Sequence, residues 1–395
     1  MNFVNLKTGK EKPVRLHHPW IFSGAIARAG GNPEPGEIVA INDAGGAFLA
    51  WGYYNPQSQI ALRLLEWQQS APVDENWWRR KIGDAIHRRN HLFQRDDTDS
   101  FRLVHAEADF LPGLIVDKYA DFVVLQSQTA GIDRVKQVVV DTLIETLKPA
   151  GIYERGDQTA RRLEGLSHAN GLLSGETAPD LLEIKENGLR FLVNLRHGQK
   201  TGYYLDQRQN RQRVASFAKN RTMLDAFSYS GSFGLYGRIA GATSIICIDS
   251  SPTSLDLLKK NFGINSYQVV EDELVHGDVF QVLRKFHEEG RAFDLIVLDP
   301  PKLAPTKAQA GQAQRAYKDL NLSAMKLLSP AGILATFSCS SGITIEGFQQ
   351  IVAWAALDAG REVQIMERLS QGEDHPVRLA FPESQYLKGL ICRII

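Results

Sequence analysis

Cys339 stands between two serines in the stretch TFSCSSG, residues 336–342, directly after an apolar run, Gly332 to Phe337, that reads as a buried strand. A cysteine so placed has two ordinary fates. It packs as a small hydrophobe, or it is held at the end of a sheet as a nucleophilic thiolate. Four carboxylates argue for the second fate, because each also follows an apolar run. They are Asp225 in TMLDAFS, Asp249 in SIICIDS, Asp278 in VHGDVF, and Asp299 in FDLIVLDPPK. In parallel sheets ligands bind outside the carboxyl ends of the strands, so all five side chains point to one rim. Cys247 and Cys392, inside the apolar runs ICID and GLICRII, read as structural cysteines.

Each carboxylate has its own chemistry and a structural alternative. Asp249 suits the two hydroxyls of an unphosphorylated ribose; otherwise it shares a helix N-cap with Ser250 and Ser251. Asp278 suits an adenine amino group; otherwise it caps the helix that follows. Gly231 and Gly234 let backbone approach a ligand. Phe227 and Tyr229 are too bulky for the glycine loop that cradles a pyrophosphate, so the dinucleotide fingerprint is missing. An adenosine with a non-phosphate tail fits all of this, which points to S-adenosylmethionine. Two prolines after Asp299 fix a rigid turn that holds its carboxylate at the rim; with Lys302 it belongs to the candidate catalytic set beside Cys339.

The elements that must position these residues alternate strand and helix over 197–395. That order predicts a parallel, doubly wound α/β sheet. Residues 1–69 look different. They are β-rich, with a hairpin turning at Asn42-Asp-Ala-Gly-Gly46 and a further strand in SQIALRLLEW. QQSAPVDEN reads as a linker. Residues 73–196 open on the helix-like WWRRKIGDAIHRRNHLFQR and continue as a small α+β domain, with Trp78, Ile82 and Ile86 at helical spacing.

At 395 residues the chain needs more than one core. Lys+Arg and Asp+Glu balance at 45 each, so net charge neither favours nor excludes nucleic acid. Three scattered cysteines exclude a disulfide framework or a zinc site and suggest a reducing cytoplasm. No apolar run reaches the length of a membrane span, and no signal core opens the chain.

These motifs carry a family resemblance. HHPWIFSGAI, GQKTGYYLDQRQNR, DAFSYSGSFG, DPPK, TFSCS and DHPVRLAFPESQYLKGLICR together resemble the bacterial ribosomal RNA large subunit methyltransferase I family, S-adenosylmethionine-dependent RNA cytosine-5 methyltransferases. The likeness covers the whole length. It implies a PUA-like RNA-binding domain (1–69), a small central domain (73–196) and a Rossmann-like, seven-stranded methyltransferase domain (197–395) whose last strand is antiparallel. It implies that Tyr204, Asp206 and Arg208 close over the methionine end of the cofactor, while Asp225, Phe227, Tyr229, Gly231, Asp249, Asp278 and Asp299 hold the rest. It implies Cys339 as the nucleophile that adds to C6 of cytosine, with Asp299, protonated or sharing a proton with N3, stabilising the charge there and Lys302 near the thiolate. The expected partner is 23S ribosomal RNA, naked or in a pre-ribosomal large-subunit particle; oligomeric state is not readable, a homodimer being one option.

One departure stands out. Many RNA cytosine-5 methyltransferases place a second cysteine after the proline of the Asp-Pro-Pro turn, where this chain has Lys302. That leaves open which group assists product release. Competing readings are a uracil-5 methyltransferase, an exocyclic-amine (guanine N2) methyltransferase, and a non-catalytic RNA-binding protein.

Overall fold

Asp43 closes the first hairpin. Its Oδ1 accepts from the backbone amides of Gly45 and Ala47, both at 2.9 Å, and strands Glu37–Asn42 and Phe48–Tyr54 pair antiparallel on either side. The turn chemistry read from the sequence is the one the fold uses. The hairpin lies in a six-stranded sheet whose edge strands are Trp20–Ile21 and Ile26–Gly30, over a core that includes Val4, Leu6, Val39, Ile41 and Leu64.

The computed structural model describes residues 2–303 and 310–395, and the chain divides into two units. The first comprises Met1–Leu189, Val193–Leu205 and Glu373–Ser384. Besides the six-stranded sheet it holds a five-stranded one. Helix Glu75–His87 packs there through Trp77, Trp78, Ile82 and Ile86, and Asp74 caps it by accepting from Trp77 N at 2.8 Å. The five-stranded sheet ends on Asn170–Gly175, a strand with mostly exposed side chains and no apolar alternation to announce it. A buried ionic cluster also belongs to this unit. Arg89 binds both oxygens of Asp109 at 2.7 and 2.6 Å, and Asp374 accepts from Arg102 N at 2.8 Å.

The second unit comprises Arg190–Leu192, Asp206–Gly372 and Gln385–Ile395. It opens on helix α1 (Arg208–Ala215). Its sheet is built from β1 (Thr222–Ala226), β2 (Ser244–Asp249), β3 (Leu274–His276), β4 (Phe293–Leu298), β5 (Leu328–Ser338), β6 (Val363–Leu369) and β7 (Lys388–Ile394). The order is β3-β2-β1-β4-β5-β7-β6, parallel from β3 through β5, with β7 antiparallel between β5 and β6. The central strands are continuous apolar runs because helices cover both faces. Helices α2 (Ser232–Ile239), α3 (Pro252–Ile264), α4 (Val279–Glu288), α5 (Ala310–Leu327) and α6 (Ile345–Asp358) supply the cover.

One expectation needs correction. The stretch VVEDELVHGDVF reads as the strand that leads to Asp278. Its acidic part, Glu271–Glu273, instead forms a single 3₁₀ turn, and only Leu274–His276 pairs with β2. Three successive acids suit a solvated turn better than a sheet interior.

Candidate active site

Strand order reverses between β1 and β4, and in open α/β sheets ligands bind outside the carboxyl ends of the strands at such a switch point. Asp225 lies on β1 and Asp299 just past β4, facing that switch point.

Asp225 is 1% exposed. Its Oδ2 accepts from Gly234 N at 2.9 Å, which ties β1 to the first turn of α2. Burial pushes the Asp225 carboxyl up to about 7; the Gly234 amide pulls it back, and the carboxylates of Asp299 and Asp249 add to the rise. Three acids thus share one electrostatic neighbourhood. A sulfonium cation is a fitting guest for it.

Between Asp225 and α2 the chain makes a tight loop. Phe227 and Tyr229 sit in the left-handed region, at φ 63° and 47°, as does Gly231 at 78°. Non-glycine residues adopt that conformation at a cost and cluster at ligand sites. The geometry turns Tyr229 N toward Asp249 Oδ2, at 2.8 Å, while Ser251 N binds the other oxygen, also at 2.8 Å. Asp249 is therefore fixed by two amides and half-exposed at the end of β2. Its helix-capping alternative falls to Ser251, whose Oγ accepts from Ser254 N. Asp278 is exposed and caps α4, accepting from Gln281 N at 3.1 Å. Gly231 caps α2, and a methyl group there would lie 2.3 Å from Leu258 Cγ.

Asp299 is oriented by a residue the sequence reading passed over. Gln207 Nε2 donates to Asp299 Oδ2 at 3.0 Å. Asn210 Nδ2 in turn donates to Gln207 Oε1 at 2.6 Å and to Ser370 O at 2.9 Å. That relay fixes which end of the Gln207 amide faces Asp299. Asp206 and Arg208, named from the sequence on either side of it, are both buried. Asp206 accepts from Tyr386 OH at 2.6 Å, and Arg208 begins α1. Tyr204 groups with the first unit, where the Lys200 ammonium stands 4.4 Å from its ring centre.

Cys339 lies just beyond β5 and is half-buried, unlike Cys247 and Cys392. Leu298 and Thr336 are register partners, so Asp299 and Cys339 emerge from adjacent strands at one rim. The serines on either side are tied down. Tyr317 OH of α5 meets Ser340 Oγ at 3.1 Å, and Ser338 Oγ accepts from Ser340 N at 3.4 Å. Burial raises the Tyr317 phenol, which keeps it a hydrogen-bond donor. Lys302 is exposed after the two prolines. Lys388, the first residue of β7, donates to Ser340 O and Tyr386 O, both at 2.8 Å. It too went unread in the sequence; its one signal is a lysine opening an otherwise apolar run.

The other cysteines are inert by environment. Burial pushes Cys392 up to about 12 and Cys247 well above its ordinary value. Among the described residues no cluster of side chains could hold a metal ion, and no helix is long and apolar enough to cross a membrane.

The fold and rim define a class: a PUA-like domain, matched over residues 4–67, and an S-adenosylmethionine-dependent methyltransferase, matched over residues 149–387. Two solved structures share the fold along nearly all of both chains. One is the methyltransferase SMU.776 complexed with SAH (TM-score 0.88, 21% identity, 100% of both chains). The other is a SAM-dependent methyltransferase from Streptococcus mutans (TM-score 0.86, 21% identity, 99% of this chain and 100% of that one). Proteins named ribosomal RNA large subunit methyltransferase I match far more closely in sequence. Those of Aliivibrio fischeri strain ES114 and Tolumonas auensis are 43% and 44% identical, each over 99% of both chains. The chain belongs to that family of S-adenosylmethionine-dependent ribosomal RNA methyltransferases.

Proposed function

We propose that the chain methylates C5 of a cytosine in 23S ribosomal RNA through a covalent bond between Cys339 and C6 of the base. The carrying observation is the placement of Cys339. It is the one cysteine of the three that is not buried, and it leaves the sheet beside Asp299. Methylation of an exocyclic amine needs no thiol, and a stacking ring would be expected where Lys302 stands.

C5 of cytosine is a poor nucleophile. Addition of the Cys339 sulfur at C6 turns C4–C5–C6 into an enamine, which makes C5 reactive. Asp299, steadied by Gln207, would carry or share the proton that N3 takes up as negative charge develops there, and would take it back when the ring is restored. S-adenosylmethionine supplies the electrophilic methyl group. Asp249 is presented to its ribose hydroxyls, and the acid-rich floor formed with Asp225 favours its cationic end. Loss of the C5 proton then restores the ring and expels Cys339. The target base must leave its stack to reach this rim. The same reading takes 1–69 as the RNA-binding domain, 73–196 as a small central domain and 197–395 as the catalytic domain. It also places the protein in the cytoplasm, where ribosomes are assembled.

The test uses large-subunit RNA carrying 5-fluorocytosine, with S-adenosylmethionine. Fluorine cannot leave C5 as a proton, so a protein–RNA adduct stable to denaturation should accumulate, and Cys339→Ala should abolish it. No adduct with the native chain, or 5-methyluracil or N2-methylguanine as the product by mass spectrometry, would sink the reading.

A further inference from the structure

Lys388 is 4% exposed, and the residues that follow it in β7, Gly389 to Cys392, are apolar. A buried ammonium is costly unless an anion balances it. Among the described residues no carboxylate pairs with Lys388. Among those residues its Nζ hydrogen-bonds two carbonyls, those of Ser340 and Tyr386. The groups whose charge reaches it are the Cys339 sulfur and Lys302. The register explains the proximity. Lys388 faces Ser338 across the β5–β7 pair, and its ammonium reaches past the strand end to the residue after Cys339.

The hydrogen-bond count is informative. A neutral amine has two N–H bonds and one lone pair. With both N–H bonds given to carbonyls, the lone pair is what remains; in the ammonium, a third N–H takes its place. Either form leaves one position on Nζ uncommitted; a sulfur brought to it would bind as S–H···N or as S⁻···H–N⁺.

We propose that Lys388 is the proton partner of Cys339, taking the thiol proton as the sulfur attacks C6 and returning it when the sulfur leaves. This rests on the reading of Cys339 as nucleophile. In the forward step the S–H bond breaks, its proton moves to Nζ, an S–C6 bond forms, and the C5=C6 electrons move into the ring. After methylation, another base removes the C5 proton. The C–H electrons restore C5=C6, the S–C6 bond breaks, and the proton on Nζ returns to the sulfur. Lys388 thus ends as it began, and the C5 proton is the one released.

The surroundings suit that exchange. Burial holds the Lys388 ammonium down to about 8, Lys302 pushes the same way, and the Cys339 sulfur pulls back. Tyr317 of α5 meets Ser340 Oγ, within electrostatic reach of Cys339 and Asp299, and burial keeps its phenol protonated. Lys388 exchanges its proton with the reacting sulfur and so acts on the base through Cys339.

The experiment measures the pH dependence of Cys339 alkylation by iodoacetamide in the full-length protein without RNA. Peptide mass spectrometry separates this thiol from the two buried ones. The native midpoint should lie below the ~8.5 of free cysteine. Lys388→Met should raise it by about one unit and slow alkylation at pH 7 roughly tenfold. Lys388→Arg keeps a positive charge and should leave the midpoint at or below the native value. A native midpoint at or above that of free cysteine would overturn the proposal. So would an unshifted midpoint in folded Lys388→Met, or an upward shift in Lys388→Arg. RNA trapping through Cys339 alongside an unshifted Lys388→Met midpoint would keep the nucleophile and discard its partner.

Discussion

The side-chain amide of Gln207 donates to Asp299 Oδ2 at 3.0 Å, and Asn210 locks that amide by donating to its Oε1 at 2.6 Å. An amide left to itself presents either end. Here the chain Ser370–Asn210–Gln207 lets only the N–H end face the carboxylate. The carboxyl group beside the proposed nucleophile is therefore oriented before any substrate arrives, so sharing a proton with N3 would need no reorganisation at the moment of reaction.

Replacing Gln207 by leucine keeps the volume and removes the donor. The expected result is a kcat lowered about 10- to 100-fold, since small losses of orientation carry costs of that order. Affinity for S-adenosylmethionine should change little. Asn210→Leu should show the same split more weakly, because Gln207 then rotates but still reaches Asp299. Single-turnover methylation and calorimetric titration of the cofactor separate the two quantities. An unchanged kcat in Gln207→Leu would make the relay a packing feature.

Asp225 gives a pH dependence with a definite sign. Its carboxyl is pushed up to about 7 in the native chain, against about 3.9 unfolded. Between those values the native state holds a proton that the unfolded chain has lost, so this group's contribution to stability grows as pH falls through 7. It levels off below the unfolded value. Between pH 8 and pH 6 the gain is about 1 kcal/mol. Urea midpoints of the cofactor-free protein should rise over that interval, and Asp225→Asn should remove the part due to this group. A native-minus-variant difference that is flat with pH would show that the carboxyl ionises normally.

The sequence exposed the catalytic sheet well because its strands are unbroken apolar runs that stop at acids. Asp225, Asp249, Asp299 and Cys339 could be found by reading each strand to its end. Other parts left weaker traces. Gln207 lies between Asp206 and Arg208 and acts by hydrogen bonding to a residue far along the chain, which spacing does not encode. Lys388 opens an apolar strand and resembles any terminal lysine until β7 is inserted beside β5. Strand Asn170–Gly175 has exposed side chains, so it lacks the alternation that marks a half-buried strand. The left-handed backbone of Phe227 and Tyr229 runs against the preference of aromatic residues and emerges only from the packed loop.

Gly231 is the position where a single methyl group should do most harm to the loop between β1 and α2. It combines φ 78° with a contact of 2.3 Å between an added Cβ and Leu258 Cγ. The left-handed conformation costs an alanine about 1–2 kcal/mol, and overpacking adds about 1–3. Gly231→Ala should therefore lower the urea midpoint and weaken S-adenosylmethionine together. Adding Leu258→Ala removes the clash but not the backbone strain, so the pair should recover only part of the affinity. Full recovery would mean that the backbone angle carries no cost.

The cluster around Asp109 makes a prediction about the first unit. Asp109 is buried; Arg89 binds both its oxygens, Arg88 approaches one of them, and His105 N donates to Oδ2 at 2.7 Å. Arg89 also donates to Asp374 O at 3.0 Å, so the guanidinium is committed on two sides. Asp109→Ala leaves a buried guanidinium and a backbone amide without their acceptor, at about 3–5 kcal/mol. Replacing both members, Arg89→Met with Asp109→Leu, removes the orphaned charge and should cost less than Asp109→Ala alone. The measurement is urea unfolding of native, single and double variants. Asp109→Ala within about 1 kcal/mol of native would show that water re-enters and solvates Arg89, and the cluster would then count as a surface ion pair rather than a buried one.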